Sequence, residues 1–344
     1  MGERQEADGT VKSTLQLFGV NHLTVDRVFL WDCRAFCAQF ANAKFMTIRD
    51  VTVDANFPPY PEAANAAEQR KYLDAIPRSN VDGLHFHGPI QYLTMNSLKL
   101  RTEDDALSFT ANEFKDDITR DNALGPYVGQ GPITDVIISN VMLMDALQGI
   151  RLLSSTERID RFVVSNVTGT VRHRMAIISP FTAASRGNVG SVSFSHVHVD
   201  QLRAGNWREL YQDWYQKRSD LSKGWDMDEE GEAPIFSLNG NIESLTVNEV
   251  STKAINDRPI IRVGNTSRIK VMNIDLYVAD PKNQAIPLKL TAKGHIERLN
   301  LSLDWQRGDG ERSRKPIENN GGTIEQLNWV NATHMPTAAP SKSR

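Results

Sequence analysis

Apolar residues recur along this chain at spacings of three, two and three. The template is filled by Val20, Leu23, Val25 and Val28, then by Ala43, Met46, Ile48 and Val51. It returns at Ile90, Leu93, Met95 and Leu98, and at Ile133, Val136, Ile138 and Val141. Ile159, Phe162, Val164 and Val167 follow, then Val189, Val192, Phe194 and Val197, then Ile242, Leu245, Val247 and Val250. Weaker copies run Ile269, Val271, Ile274; Ile296, Leu299, Leu301; and Ile324, Leu327, Trp329. Asn often stands just before the last apolar position, as at Asn140, Asn166 and Asn273.

A spacing of two marks one face of a strand. A spacing of three marks a corner, where the chain turns and points the next side chain inward again. A chain that turns this way every 23 to 30 residues winds into coils, and stacked coils form parallel sheets. Val, Ile, Phe and Thr fill the positions, as a pleated surface favours. The predicted fold is all-β: a parallel β-helix solenoid, one domain over 15–335, with polar, flexible termini at 1–14 and 336–344. A β-sandwich would need hairpin turns every ~8–12 residues, and pairs such as Asn239–Gly240 do not keep that spacing.

Some gaps exceed one coil. Residues 62–76 read as a helix ended by Pro77, 112–131 as a polar loop, and 207–221 as a helix followed by an acidic loop. In repeat proteins such insertions map to loops on one face. The first apolar coil begins near Leu15 without a preceding amphipathic helix, so a partner or further chain is expected to cover that end.

Composition narrows the function classes. The chain has 344 residues, with 39 basic against 42 acidic, so no basic face for nucleic acid is expected. There is no apolar run of about 18 residues, hence no membrane span, and the polar N-terminus carries no signal peptide. The two cysteines, Cys33 and Cys37, imply no disulfide framework and read as small buried hydrophobes. No cofactor and no metal site are expected.

Candidate chemistry concentrates in 80–112. If Leu84 and Phe86 point inward, Leu107 and Phe109 are their counterparts 23 residues on. Asp82 then falls in register with Asp105, and His85 with Ser108. Ile150 and Leu152 continue the series, which adds Arg151 to the column of Ser108 and His85. Neighbouring parallel strands lie ~4.8 Å apart, so the two carboxylates approach each other. Like charges at that range raise at least one pKa, as a general acid requires. Asp104 and Asp105 are sequential and point to opposite sides of a regular strand, so both line a groove only if the chain bends there. Otherwise one of them caps a corner. By parity His85 and His87 face outward, as sugar-binding groups or as solvated strand histidines.

The motifs NVDG at 80–83 and EDDA at 103–106 resemble the NTD and DD motifs of polygalacturonases, the right-handed parallel β-helix glycoside hydrolases. The wider segment DGLHFHGP, then DDALSF and GIRLLSS, is also similar to phage tailspike depolymerases. The resemblance spans about 15–200 by motif. It implies inverting hydrolysis of a polysaccharide, with Asp104 as proton donor and Asp82 and Asp105 activating water. Two departures separate the chain from that family. Gln130 stands where its GHG histidine would fall, and Arg151–Leu152–Leu153 lacks the Lys of its RIK motif. The missing Lys points to a glycan other than galacturonan. The RIK at 268–270 lies in a repeat position and is not taken for that motif. The tailspike likeness implies an extracellular or virion-associated chain and a homo-oligomer, a trimer if it is a spike.

Aromatic residues crowd the insert at 207–225. Trp207, Tyr211 and Trp214 form a helical stripe that packs the insert, which leaves Tyr215 and Trp225 as candidates to stack on sugar faces. Two rival readings share the fold: a non-catalytic carbohydrate- or receptor-binding spike, and a polysaccharide lyase. The lyase would need a Ca²⁺ site or a Lys or Arg base, for which no clear candidate stands out.

Overall fold

The computed structural model describes residues 14–33, 36–57, 67–68, 71, 81–112, 130–180, 185–202, 233–253, 258–282, 284–308 and 315–333. These residues are almost entirely strand. In order they form β1 (Leu15–Phe18), β2 (Asn21–Asp26), β3 (Phe29–Trp31), β4 (Ala38–Asp54), β5 (Leu84–Arg101), β6 (Asp105–Thr110), β7 (Ile133–Leu153), β8 (Ile159–Ser179) and β9 (Val189–Gln201). There follow β10 (Phe236–Leu238), β11 (Asn241–Lys253), β12 (Pro259–Val263), β13 (Arg268–Asp280), β14 (Ile286–Leu290), β15 (His295–Arg307), β16 (Ile317–Asn319) and β17 (Thr323–Thr333). Every pairing is parallel, and the molecule is a parallel β-helix solenoid.

The long strands bend around two corners. β4, for example, contributes 38–41 to one sheet, 43–48 to a second and 51–54 to a third. We name these sheets A, B and C. In sheet A, inward Leu15, Ala38, Leu84, Leu107, Ile150, Ala176, Phe236, Ile261, Leu288 and Ile317 pair one above the next. The expected residues of coils two to seven are nearly all fully buried. At the two ends Leu15, Leu23, Val25, Val28 and Ile324 are only half-buried, because a terminal coil has a neighbour on one side.

Left-handed residues, one within sheet B and one at the corner from B to C, explain the spacing of three in the coils of β2 to β8. The residue just before the next inward position takes a left-handed backbone conformation: Phe45 before Met46, Asp50 before Val51, Asp135 before Val136, Asn140 before Val141, Arg161 before Phe162, Asn166 before Val167. One such residue reverses the pleat, so the chain turns and the next side chain points inward again. Asn and Asp tolerate this region, whereas Phe, Tyr and Arg meet a steric cost there.

One repeat copy is corrected. In β13 the inward residues are Ile269, Met272 and Ile274, and Val271 faces out. The alternation 269, 271 suited the template, but pairing with Leu245 on one side and Leu299 on the other fixes Met272 inward. Asn273 is therefore not a corner residue. It stands on the outer surface of sheet B, where its carbonyl accepts from the Asn300 amide at 2.7 Å, and Asn300 in turn accepts from Asn328 at 2.8 Å.

Aromatic side chains fill the lumen beneath sheet A. Phe40 stacks on Phe86 with centroids 5.0 Å apart, Phe86 on Phe109 at 4.8 Å, and Phe109 meets Phe162 edge-on at 4.7 Å. The cysteine expectation is corrected as well: Cys33 and Cys37 form a disulfide. The turn from sheet C into sheet A brings their Cα atoms to 5.3 Å, within bridging range, so two cysteines sufficed without a framework.

The three long stretches outside the described residues each adjoin a strand of sheet A in the sequence. Those at 58–80 and 203–232 fall between sheets C and A, and that at 113–129 falls between A and B. Of the span read as a helix at 62–76, Ala67, Glu68 and Lys71 are described and are helical. The helix at 207–221, the loop at 113–129 and the candidates Tyr215 and Trp225 lie outside the described residues.

Candidate carboxylate site on sheet A

Asp82 precedes inward Leu84 by two residues, and Asp105 precedes inward Leu107 by two. Since Leu84 pairs with Leu107, the two carboxylates sit on adjacent coils, and the Asp105 amide donates to Asp82 Oδ1 at 3.3 Å. Gly83 permits this approach: a Cβ there would lie 2.4 Å from the Ala106 carbonyl oxygen.

The chain does bend ahead of Asp105, at Glu103 and Asp104. The Asp104 amide donates to the Val81 carbonyl at 3.2 Å, and the Thr102 hydroxyl donates to the Asp104 carbonyl at 2.9 Å. The bend places Asp104 on the same side as Asp105. One carboxylate oxygen from each of Asp82, Asp104 and Asp105 lies within 4.8 Å of the other two. Asp82 and Asp105 are each 1% exposed and Asp104 is half-buried, so Asp104 is the member that solvent reaches.

Each carboxylate has a different partner. His85 Nδ1 pairs with Asp82 Oδ2 at 2.6 Å, and its Nε2 pairs with the Thr110 hydroxyl at 3.2 Å. Arg151 Nη1 lies 2.9 Å from Asp105 Oδ2, close enough to pair charges but not aligned as a hydrogen bond. Among the described residues the side chain of Asp104 has a neutral partner, the Gln148 amide, which donates to Oδ1 at 3.1 Å. Burial pushes the Asp105 carboxyl well above the usual carboxylate range against the pull of Arg151, and Asp82 and Asp104 push it further. Burial likewise raises Glu103, next along the bend, to about 7.

All-oxygen donors of this kind suit a hard divalent cation. Here His85 and Arg151 already engage two of these three carboxylates, Asp82 and Asp105.

The column of His85, Ser108 and Arg151 stands in register as expected. Of the two readings of His85 and His87, that of solvated strand histidines does not hold. His85 and His87 alternate with inward Leu84 and Phe86, yet they are 5% and 1% exposed. His85 is packed by Phe36 and His87, each with ring centroids 4.3 Å away, and the Gln39 amide meets His87 Nε2 at 3.4 Å. Ser108 is fully buried, and its hydroxyl has no hydrogen-bond partner among the described residues. Arg151 is committed to Asp105. Gln130 stands exposed at the entry to β7. The 268–270 segment begins β13 on sheet B, where Lys270 faces Glu243 at 3.8 Å.

Gln148 and Arg174 were not foreseen. They extend the column of Asp82 and Asp105 at the same offset of two residues before inward Ile150 and Ala176, and Arg174 donates to Gln148 Oε1 at 3.4 Å. Carrying the register on by two coils would have found both. A groove of about 450 Å³ opens elsewhere, at the corner between sheets B and C, lined by Asp50, Ser97, Lys99, Asn140 and Asn166 among others. It holds one carboxylate and one ammonium and lacks the converging carboxylates of sheet A.

Comparison with protein-family models, curated proteins and solved structures finds no match.

Proposed function

We propose that this chain is a polysaccharide depolymerase that hydrolyses glycosidic bonds with Asp82, Asp104 and Asp105. The observation that carries the reading is the convergence of three carboxylates on sheet A, each with a different partner. Asp104 delivers the proton to the leaving oxygen. It is the solvent-reachable member, and its side-chain partner among the described residues is neutral. Asp82, held by His85, and Asp105, beside Arg151, orient and activate water. Repulsion among the three favours one shared proton; Asp105, whose carboxyl is raised by burial, holds it at rest and hands it to Asp104, which leaves Asp82 and Asp105 as bases. A solenoid offers a polymer a surface along its axis.

The test is release of new reducing ends from capsular, O-antigen and plant polysaccharides. Asp104→Asn is expected to lower turnover by about 10²–10⁴-fold with glycan binding retained, since the amide keeps the shape but carries no catalytic proton. Wild-type turnover in Asp104→Asn removes the assignment. The closest oxygens lie within 4.8 Å, whereas acid and base of inverting hydrolases stand roughly 6.5–9.5 Å apart. Proton NMR of the first-formed anomer therefore decides the course, and retention would remove Asp82 and Asp105 as a water-activating pair.

A non-catalytic glycan-binding spike is the second reading, favoured by the near-complete burial of Asp82, Asp105 and Ser108. It predicts binding to a glycan with no release from any of the panel.

A further inference from the structure

Arg172 is fully buried, lies outside the three-carboxylate cluster, and stands 68 residues from Asp104 in sequence (172 − 104). Its guanidinium is shared among the groups that form the bend. Nη2 donates to the Thr102 carbonyl at 2.9 Å and to Glu103 Oε2 at 3.2 Å. Nε donates to the Asp145 carbonyl at 3.3 Å, with the Asp145 carboxylate 3.2 Å away. Its Cζ lies 4.7 Å from the centre of the Phe57 ring, and Cζ of Arg101 lies 4.5 Å from the same centre.

These contacts grip the two residues immediately before Asp104. Thr102 adds a second tie, because its hydroxyl donates to the Asp104 carbonyl. A regular strand would send Asp104 and Asp105 to opposite faces. A bend that reverses one of them needs an anchor, and a planar fork with five donors is suited to hold two carbonyls and two carboxylates at once.

We propose that Arg172 is a positioning residue of the carboxylate site: by fixing Thr102 and Glu103 it sets the bend that turns Asp104 toward Asp82 and Asp105. This deepens the depolymerase reading, and its geometric part stands apart from whether the site hydrolyses anything. Arg172 touches no reacting group. Its effect passes through the backbone of residues 102–104.

The experiment compares crystal structures of wild type, Arg172→Lys and Arg172→Met, together with their turnover on whichever panel glycan the wild type cleaves. In Arg172→Met the Gln148–Asp104 hydrogen bond is expected to break, and the Asp104 carboxylate to move beyond 4.8 Å from Asp82, while the registers of β5, β6 and β7 stay unchanged. Turnover should fall about 10²-fold, as for a displacement on the order of 1 Å, with KM little changed. Arg172→Lys, which keeps the charge, should recover part of both.

Arg172→Met leaves Glu103 and Asp145 without their cation. If it does not fold, the triple variant Arg172→Met, Glu103→Gln, Asp145→Asn removes that charge imbalance and takes its place. A folded variant whose three carboxylates keep wild-type positions overturns the proposal. If Asp104 moves but no glycan of the panel is cleaved by wild type, the positioning role stands and the hydrolase reading falls.

Discussion

Removing the Phe86 ring tests the solenoid core beneath the carboxylate site. Phe86 is fully buried and stacks between Phe40 at 5.0 Å and Phe109 at 4.8 Å. Truncating a buried Phe to Ala costs about 3–5 kcal/mol through lost burial and the cavity left behind. Two aromatic contacts, each worth roughly 0.5–1.5 kcal/mol beyond burial, place this site at the upper end, near 5 kcal/mol. The cavity cannot collapse readily, because β5 is hydrogen-bonded to β4 on one side and to β6 and β7 on the other. At roughly 2.1 cal/mol/K of unfolding entropy per residue, a chain of this length should lose about 7 °C in Tm. Thermal melts followed by circular dichroism measure it, with Phe29→Ala as control, since Phe29 is 61% exposed and its loss should shift the melt by under about 1 °C. Equal shifts in the two variants, or under about 2 °C for Phe86→Ala, would refute the assignment of Phe86 to the lumen.

Glu103, raised to about 7 from 4.5, holds its proton more tightly folded than unfolded. It therefore contributes stability in full below pH ~4.5 that declines by about 3 kcal/mol as pH rises to ~7. Glu103→Gln should flatten urea midpoints between pH 5 and 8, and an unchanged slope would count against the burial argument. Asp105 acts with the same sign, so part of the slope should persist in that variant. The Cys33–Cys37 bridge closes a short loop, and loop-closure entropy gives about 2 kcal/mol for it. Cys37→Ser should melt about 3 °C lower and ignore reductant, whereas a wild-type melt unmoved by reductant would show that the bridge does not contribute.

The lumen and the rungs of sheet A were legible in the sequence because each coil obeys a local rule. In the coils of β2 to β8 a left-handed residue sends the next apolar side chain inward, and that leaves a spacing of three in the primary structure. Leu84, Leu107 and Ile150 fixed the register, and with it the adjacency of Asp82 to Asp105 and of His85 to Ser108 and Arg151. Where one local rule fitted two phases, as at Val271 and Met272, only the neighbouring strands chose between them.

Burial on the outer face was not legible. Parity says which side of a strand His85 and Ser108 occupy, but not that the outer side is closed there. Nor does parity say that His85 is spent on Asp82 and Thr110. The bend at Glu103 and Asp104 belongs to the tertiary structure as well. A buried guanidinium from β8 grips it, and no pattern within residues 80–112 contains Arg172. Periodicity records contacts that repeat from coil to coil, whereas one arginine reaching across the stack to one bend repeats nowhere, so only the folded chain reveals it.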